Sequence, residues 1–168
     1  MDNMKWDKKV NITNQDVLDF LITRKAEIPN IGTPNRGFSY CNTNYALLAL
    51  IIEKVTGQTY PTYMKDSLFT PLGMMDSYVF SLADTANYIP SYKYNNVAYG
   101  IEKLDCIYGD KNVYSTVRDL FLWDSALHEG SYVNQSSQEL AYQPYSFETK
   151  GFHNYGLVWR LLNSPTDE

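Results

Sequence analysis

Tyr40-Cys41-Asn42 places a phenol and a carboxamide two residues apart, at the mouth of an apolar helical pattern. The phenol can exchange a proton with a nucleophile. The carboxamide carries both a donor and an acceptor, which suits an amide in a substrate. Together they can serve acyl-transfer chemistry. A phenol with a pKa of about 10 is a poor base in water, and acts only where nearby cations favour the phenolate or relay its proton. By itself the triplet has little specificity, because a tyrosine packed under a loop reads the same way. Cys41 is a further nucleophile candidate if a histidine partners it, against the commoner reading of free cysteine as a small buried hydrophobe.

Other chemistries find little support. The two cysteines, Cys41 and Cys106, are too few for a disulfide scaffold. With His128 and His153 they show no metal-ligand spacing, so neither a metal nor another cofactor is expected. Net charge is −5 and the basic residues form no cluster beyond adjacent pairs such as Lys8-Lys9, which argues against nucleic acid as a partner. The longest apolar run, Ala46 to Ile52, is far short of a membrane span. The first residues, MDNMKWDKKV, are polar and charged, unlike a signal peptide. Composition places the protein in no compartment. At 168 residues and 44% hydrophobic, the chain has the make-up of one globular domain. Its 15 tyrosines fit half-buried surface better than a sugar platform.

The elements that must position the triplet are mostly helical. Thr13-Asn14-Gln15-Asp16 reads as a capping box opening a helix to about Arg24, with Val17, Leu18, Phe20 and Leu21 as its apolar stripe. Ile28 to Gly37 reads as an irregular loop. A second helix is expected from Asn42 or Thr43. Its apolar residues cover most of its circumference, which predicts a buried helix, with Gly57 as its stop. A third runs Tyr60 to Leu68, with Pro61 in its first turn, and Pro71-Leu72-Gly73 ends it. Ser77 to Val113 suggests short strands and loops. Ser115-Thr116 caps a helix to about His128, with a capping box at Thr116 and Asp119, and Gly130 stops it. Ser136-x-x-Glu139 opens another short helix, and Tyr155 to Leu162 is a late strand candidate.

The pattern continues after the triplet in a fixed order: Tyr45, Leu47-Leu48, Ile51-Ile52-Glu53, Val55-Thr56-Gly57, Tyr60-x-x-Tyr63 and Pro71-Leu72-Gly73-Met74. A second block runs Gly109 to Leu120 through Ser115-Thr116-x-x-Asp119-Leu120, followed by Trp123-Asp124-x-Ala126-Leu127 and Tyr155-Gly156-Leu157-x-Trp159. This series resembles the serine β-lactamase and penicillin-binding-protein-like family, in its class C and esterase-like branch. The resemblance covers nearly the whole chain and is weakest over Ser77 to Asp105. Cys41 stands where that family usually has Ser, and Asn112 where Gly is common.

The resemblance implies an α+β, β-lactamase/transpeptidase-like fold. This chain would supply mainly the helical subdomain plus one or two strands of the sheet domain, as a single partial domain. It also implies Tyr40 as the catalytic acid/base and Asn42 as the substrate-binding residue. The implied function is a serine hydrolase, transferring an acyl group to water from a β-lactam, peptide or ester. The partner would be a small-molecule or peptide substrate, and the location extracytoplasmic.

The family's nucleophile lies in a Ser-x-x-Lys motif, one helical turn apart so that the amine can take the hydroxyl proton. No lysine here has Ser three positions before it; Thr62-x-x-Lys65 is the nearest mimic. His128-Glu129-Gly130 matches the family's third motif by letters, but reads as a helix cap. His153-Asn154-Tyr155 lacks the glycine. The expectation is therefore a central fragment, inactive by itself, with self-association through exposed edges. The rival is a non-catalytic protein that keeps the fold to bind, for example, cell-wall peptide.

Overall fold

A computed structural model describes residues 11–29, 32–33, 39–86, 88–144 and 155–161 of the chain. They fall in two compact units: Met1–Ile28 with Cys41–Asp119, and Pro29–Tyr40 with Leu120–Glu168.

In the first unit, helix α1 spans Asn14–Thr23 and opens with the expected capping box. Asp16 N–H donates to Thr13 Oγ1 at 3.3 Å, and Thr13 N–H donates back to Asp16 Oδ2 at 3.0 Å. Helix α2 spans Asn42–Thr56 and packs against α1. Ile12, Val17, Ala46 and Ile107 form the shared core, closed by Leu21 and Leu104. Gly57 ends α2 at φ 71°, its N–H donating to Glu53 C=O, as the sequence indicates.

The expectation of a buried α2 is not met. Only Ala46 and Ala49 are buried, whereas Leu48, Ile51 and Val55 are 51%, 56% and 79% exposed. Close packing uses the small-residue face. Gly109, at φ 96°, presses so near that a Cβ there would lie 2.5 Å from Tyr45 C=O and 2.9 Å from Ala49 Cβ. The branched side chains on the other faces have no such cover.

Helix α3 spans Tyr60–Met64, with Thr59 as its cap and Pro61 in its first turn. It runs directly into a π-helical turn, Lys65–Phe69, which buries Leu68 and Phe69. That continuous stretch is the expected third helix, one residue longer. Gly73, at φ 75°, turns the chain out of it. The Ser77–Val113 region holds short strand β1 (Tyr78–Val79), a 3-10 turn (Leu82–Ala86) and a bridge between Tyr92 and Ala98. Strand β2 (Val113–Tyr114) then pairs antiparallel with β1, Tyr78 opposite Tyr114 and Val79 opposite Val113. Asn112 holds the left-handed turn before β2 at φ 70°, a conformation asparagine tolerates. Its Nδ2 donates to Asp105 C=O and Ile107 C=O, both at 2.8 Å.

Helix α4 (Val117–His128) begins at the end of the first unit and continues in the second. Asp119 N–H donates to Thr116 Oγ1, but Asp119 Oδ2 reaches Asp76 and Ser77 on the β1 side, so the box serves long-range packing as well as the cap. Gly130 stops α4 at φ 65°, and Ser131 N–H donates to Ala126 C=O at 3.1 Å. Helix α5 spans Gln135–Ala141. Its cap is Asn134, not Ser136: Ser137 N–H donates to Asn134 Oδ1 at 2.9 Å, and Ser136 already lies inside the helix.

The late strand is also corrected. Tyr155 and Arg160 form only an isolated bridge, because Val158 at φ 65° reverses the chain and Gly156 N–H closes on Trp159 C=O at 2.8 Å. Leu162, His153 and most of the loop from Asn30 to Phe38 lie outside the described residues. Among the described residues, no helix is long and apolar enough to cross a membrane.

Candidate functional site

Asn42 is the first residue of α2 and is exposed. The cap position before it belongs to Cys41, which is extended and makes no side-chain cap bond. The first N–H groups of a helix carry partial positive charge, and the Asn42 carboxamide sits beside them.

A buried polar brace fixes α2 behind it. Asn14, only 1% exposed, donates from Nδ2 to Ala46 C=O (2.9 Å) and Tyr108 C=O (2.8 Å), and its Oδ1 accepts from Tyr108 N–H (3.0 Å). Glu53 Oε1, on α2, accepts from Tyr108 OH at 2.6 Å and from Tyr60 N–H at 2.8 Å. The Tyr60 and Tyr108 rings stack, with centroids 5.4 Å apart and planes 8° off parallel. Burial, then the Glu53 hydrogen bond and charge, push the Tyr108 phenol well above its ordinary value. α2 is thus tied to α1, to α3 and to the 107–109 loop.

Next to that loop, Asp110 Oδ1 is buried without a hydrogen-bond partner among the described residues. Burial pushes its carboxyl up, against the pull of Lys111 and a backbone hydrogen bond. A second brace joins β1 to the start of α4. Asp119, 2% exposed, accepts from Asp76 N–H (2.9 Å) and Ser77 Oγ (2.7 Å), and Ser77 Oγ lies 2.7 Å from Ser115 Oγ.

Tyr40 belongs to the second unit and Asn42 to the first. The Tyr40 side chain is 60% exposed, and its ring meets Tyr155 edge-on at 6.4 Å and 77°. Its hydroxyl is thus borne on a ring propped by an aromatic neighbour. Cys41 is half-buried in the first unit and His128 is exposed in the second, so neither unit by itself pairs them. Thr62 is occupied at the start of α3, where its Oγ1 shares a 2.8 Å hydrogen bond with Thr59 Oγ1, consistent with a cap rather than a nucleophile. His128-Glu129-Gly130 does end α4, as a cap should.

Sequence reasoning proposed Tyr40 and Asn42 as site residues, and did not single out Asn14, Glu53 with Tyr108, or Asp119 with Ser77. Glu53 left a trace in the sequence, as the carboxylate that follows the apolar run Ala46 to Ile52.

The sequence model of the Beta-lactamase family matches residues 2–167. The chain is 33% identical over 177 residues to a penicillin-binding protein of Bacillus subtilis (strain 168), covering 95% of this chain and 39% of that protein. It is 27% identical over 93 residues to a D-aminopeptidase of Brucella anthropi, covering 54% of this chain and 18% of that one. Among solved structures, it resembles an octameric penicillin-binding protein homologue from Pyrococcus abyssi at TM-score 0.66 and 27% identity. That match covers 86% of this chain and 34% of that one. A D-amino acid amidase from Ochrobactrum anthropi matches in fold at TM-score 0.62 and 24% identity, over 84% of this chain and 42% of that one. The chain therefore spans less than half the length of each of these proteins. The fold is β-lactamase/transpeptidase-like, represented here by a mostly helical α+β portion with a two-stranded sheet.

Proposed function

We propose that this chain, which belongs to the beta-lactamase family, is the central part of a serine hydrolase that transfers an acyl group to water from a β-lactam, peptide or ester. In this reading Tyr40 exchanges the proton of the nucleophile and Asn42 orients the substrate amide. The serine and lysine of the nucleophile pair come from outside these 168 residues, and the chain alone is inactive. The place of action is extracytoplasmic. One observation carries the reading: the family match runs the length of the chain, with Tyr-x-Asn at the open start of a braced helix. Names of relatives add support, since one is a penicillin-binding protein and another a D-aminopeptidase.

The test has two arms. Incubating the chain with a fluorescent penicillin should leave its intact mass unchanged; stable labelling at any serine would overturn the division of labour. In the protein that also carries the Ser-x-x-Lys segment, Tyr40→Phe removes only the hydroxyl. Turnover should fall about 100-fold or more, while stability changes by about 1 kcal/mol or less. Unchanged turnover would remove Tyr40 from the mechanism.

A second reading rests on one fact, the absence of any Ser-x-x-Lys in the chain. A non-catalytic binder of cell-wall peptide would bind peptide without turnover even when joined to its neighbouring sequence.

A further inference from the structure

A cleft of about 290 Å³ opens in the first unit, and neither Tyr40 nor Asn42 is among its described lining residues. Its walls include Phe80, Tyr88, Tyr99 and Tyr114, and its charged lining residues are Glu102 and Asp105. No Lys or Arg is among the lining residues. Three of the rings meet one another: Phe80 with Tyr88 at 5.2 Å, Phe80 with Tyr114 at 5.6 Å, and Tyr88 with Tyr114 at 6.3 Å. Their planes are inclined by 51°, 36° and 77° respectively. The inclined rings pack on one another as one aromatic wall of the cleft, whereas a sugar-binding platform is flat. Tyr78 stacks on the outside of Tyr114 at 5.4 Å and fixes that wall.

The size sets the scale of the occupant. Sites for drug-sized ligands run about 300–1,000 Å³, so this cleft suits one compact group rather than an extended chain. Aromatic faces attract cations through the ring quadrupole, and paired carboxylates add to that attraction. Lys93, which is not a lining residue, already places its Nζ 5.0 Å from the Tyr99 ring centroid. Burial, with Tyr88 and Asp105 nearby, pushes the Tyr114 phenol up, so the wall stays neutral at physiological pH. Asp105 is held in place because its Oδ2 accepts from Glu102 N–H at 2.6 Å.

We propose that this cleft binds a compact organic cation, a primary or quaternary ammonium group, through the aromatic walls and the Glu102 and Asp105 carboxylates. The proposed occupant uses neither Tyr40 nor Asn42.

Proton–nitrogen correlation spectra of the full chain, titrated with choline, test it directly. Saturable shifts are expected at Phe80, Glu102 and Tyr114. The neutral isostere 3,3-dimethyl-1-butanol should bind about 10-fold more weakly or worse, and N-acetylglucosamine should not compete. Glu102→Gln keeps the backbone bond to Asp105 and should weaken choline several-fold with the remaining spectrum unchanged. Equal binding of the neutral isostere, stronger binding of the sugar, unaltered choline affinity in Glu102→Gln, or no saturable shift would each overturn the proposal.

Discussion

Replacing Asn14 by Ala should be among the most damaging single changes in the chain. Asn14 is 1% exposed and joins three backbone groups across 32 and 94 residues of sequence. Ala46 C=O lies within α2 and keeps its helical partner after the change. The N–H and C=O of Tyr108 lose their Asn14 partners together. A buried polar group left unpaired costs about 1–3 kcal/mol, so two cost about 2–6 kcal/mol before any void is counted. That is a large part of an ordinary domain's stability of about 5–15 kcal/mol. With a urea dependence of about 1–3 kcal/mol per molar, the unfolding midpoint followed by circular dichroism should drop by about 0.7 M or more.

Asn14→Asp separates the contributions. It keeps the acceptor for Tyr108 N–H but turns a carboxylate toward two carbonyl oxygens. Burial and those carbonyls raise the folded pKa of the new carboxyl. Relative to the parent at the same pH, the variant is then least impaired below the unfolded carboxyl pKa, and loses stability as pH rises through the folded one. An Asn14→Ala loss below about 1 kcal/mol, or an Asn14→Asp deficit that does not shrink on acidification, would refute the view that this side chain braces α2.

The Tyr108 phenol, raised by burial and by Glu53, should make the fold sensitive to alkali. Its unfolded form ionises at about pH 10 while the folded form stays protonated, so stability is full below pH 10 and declines as pH rises toward the folded value. Tyr108→Phe should flatten that decline in alkaline urea titrations, and an unchanged slope would exclude Tyr108 as its source. The apolar face of α2 should drive self-association, because each exposed Leu, Ile or Val forgoes about 1.5–3 kcal/mol of burial. Light scattering should rise with concentration and fall in the double variant Ile51→Lys, Val55→Lys; a strictly monomeric parent that binds no hydrophobic dye would count against it.

What the sequence disclosed follows the range of the forces involved. Thr13 with Asp16, Gly57 and Gly130 act within one helical turn, so residue type and spacing reveal them before any tertiary contact is known. Asn14 sits inside the same capping box, yet its role depends on Tyr108, 94 residues away, and no local window contains that fact. Asp119 illustrates the overlap: its N–H makes the local cap bond, while its carboxylate crosses 42 residues to Ser77. The late strand failed for a related reason. Aromatic and branched residues favour extended chain, but a ladder needs a partner, and the left-handed turn at Val158 closes Tyr155 on Arg160 instead.

α2 shows the limit of periodicity most clearly. Apolar residues round a helix state what could be buried, not what is. The covered face was chosen by the smallest residues, Ala46 and Ala49, where Gly109 and the loop to Tyr108 can approach. Tyr40 and Asn42 stand out as candidates only through an ordered series of some forty positions, since a phenol and an amide two residues apart occur in many loops. The role proposed for Asn42 rests on helix α2, held near its start by Asn14 and near its end by Glu53 with Tyr108. A change in that brace should therefore disturb Asn42 without touching it, lowering turnover in the nucleophile-bearing protein wherever α2 loosens.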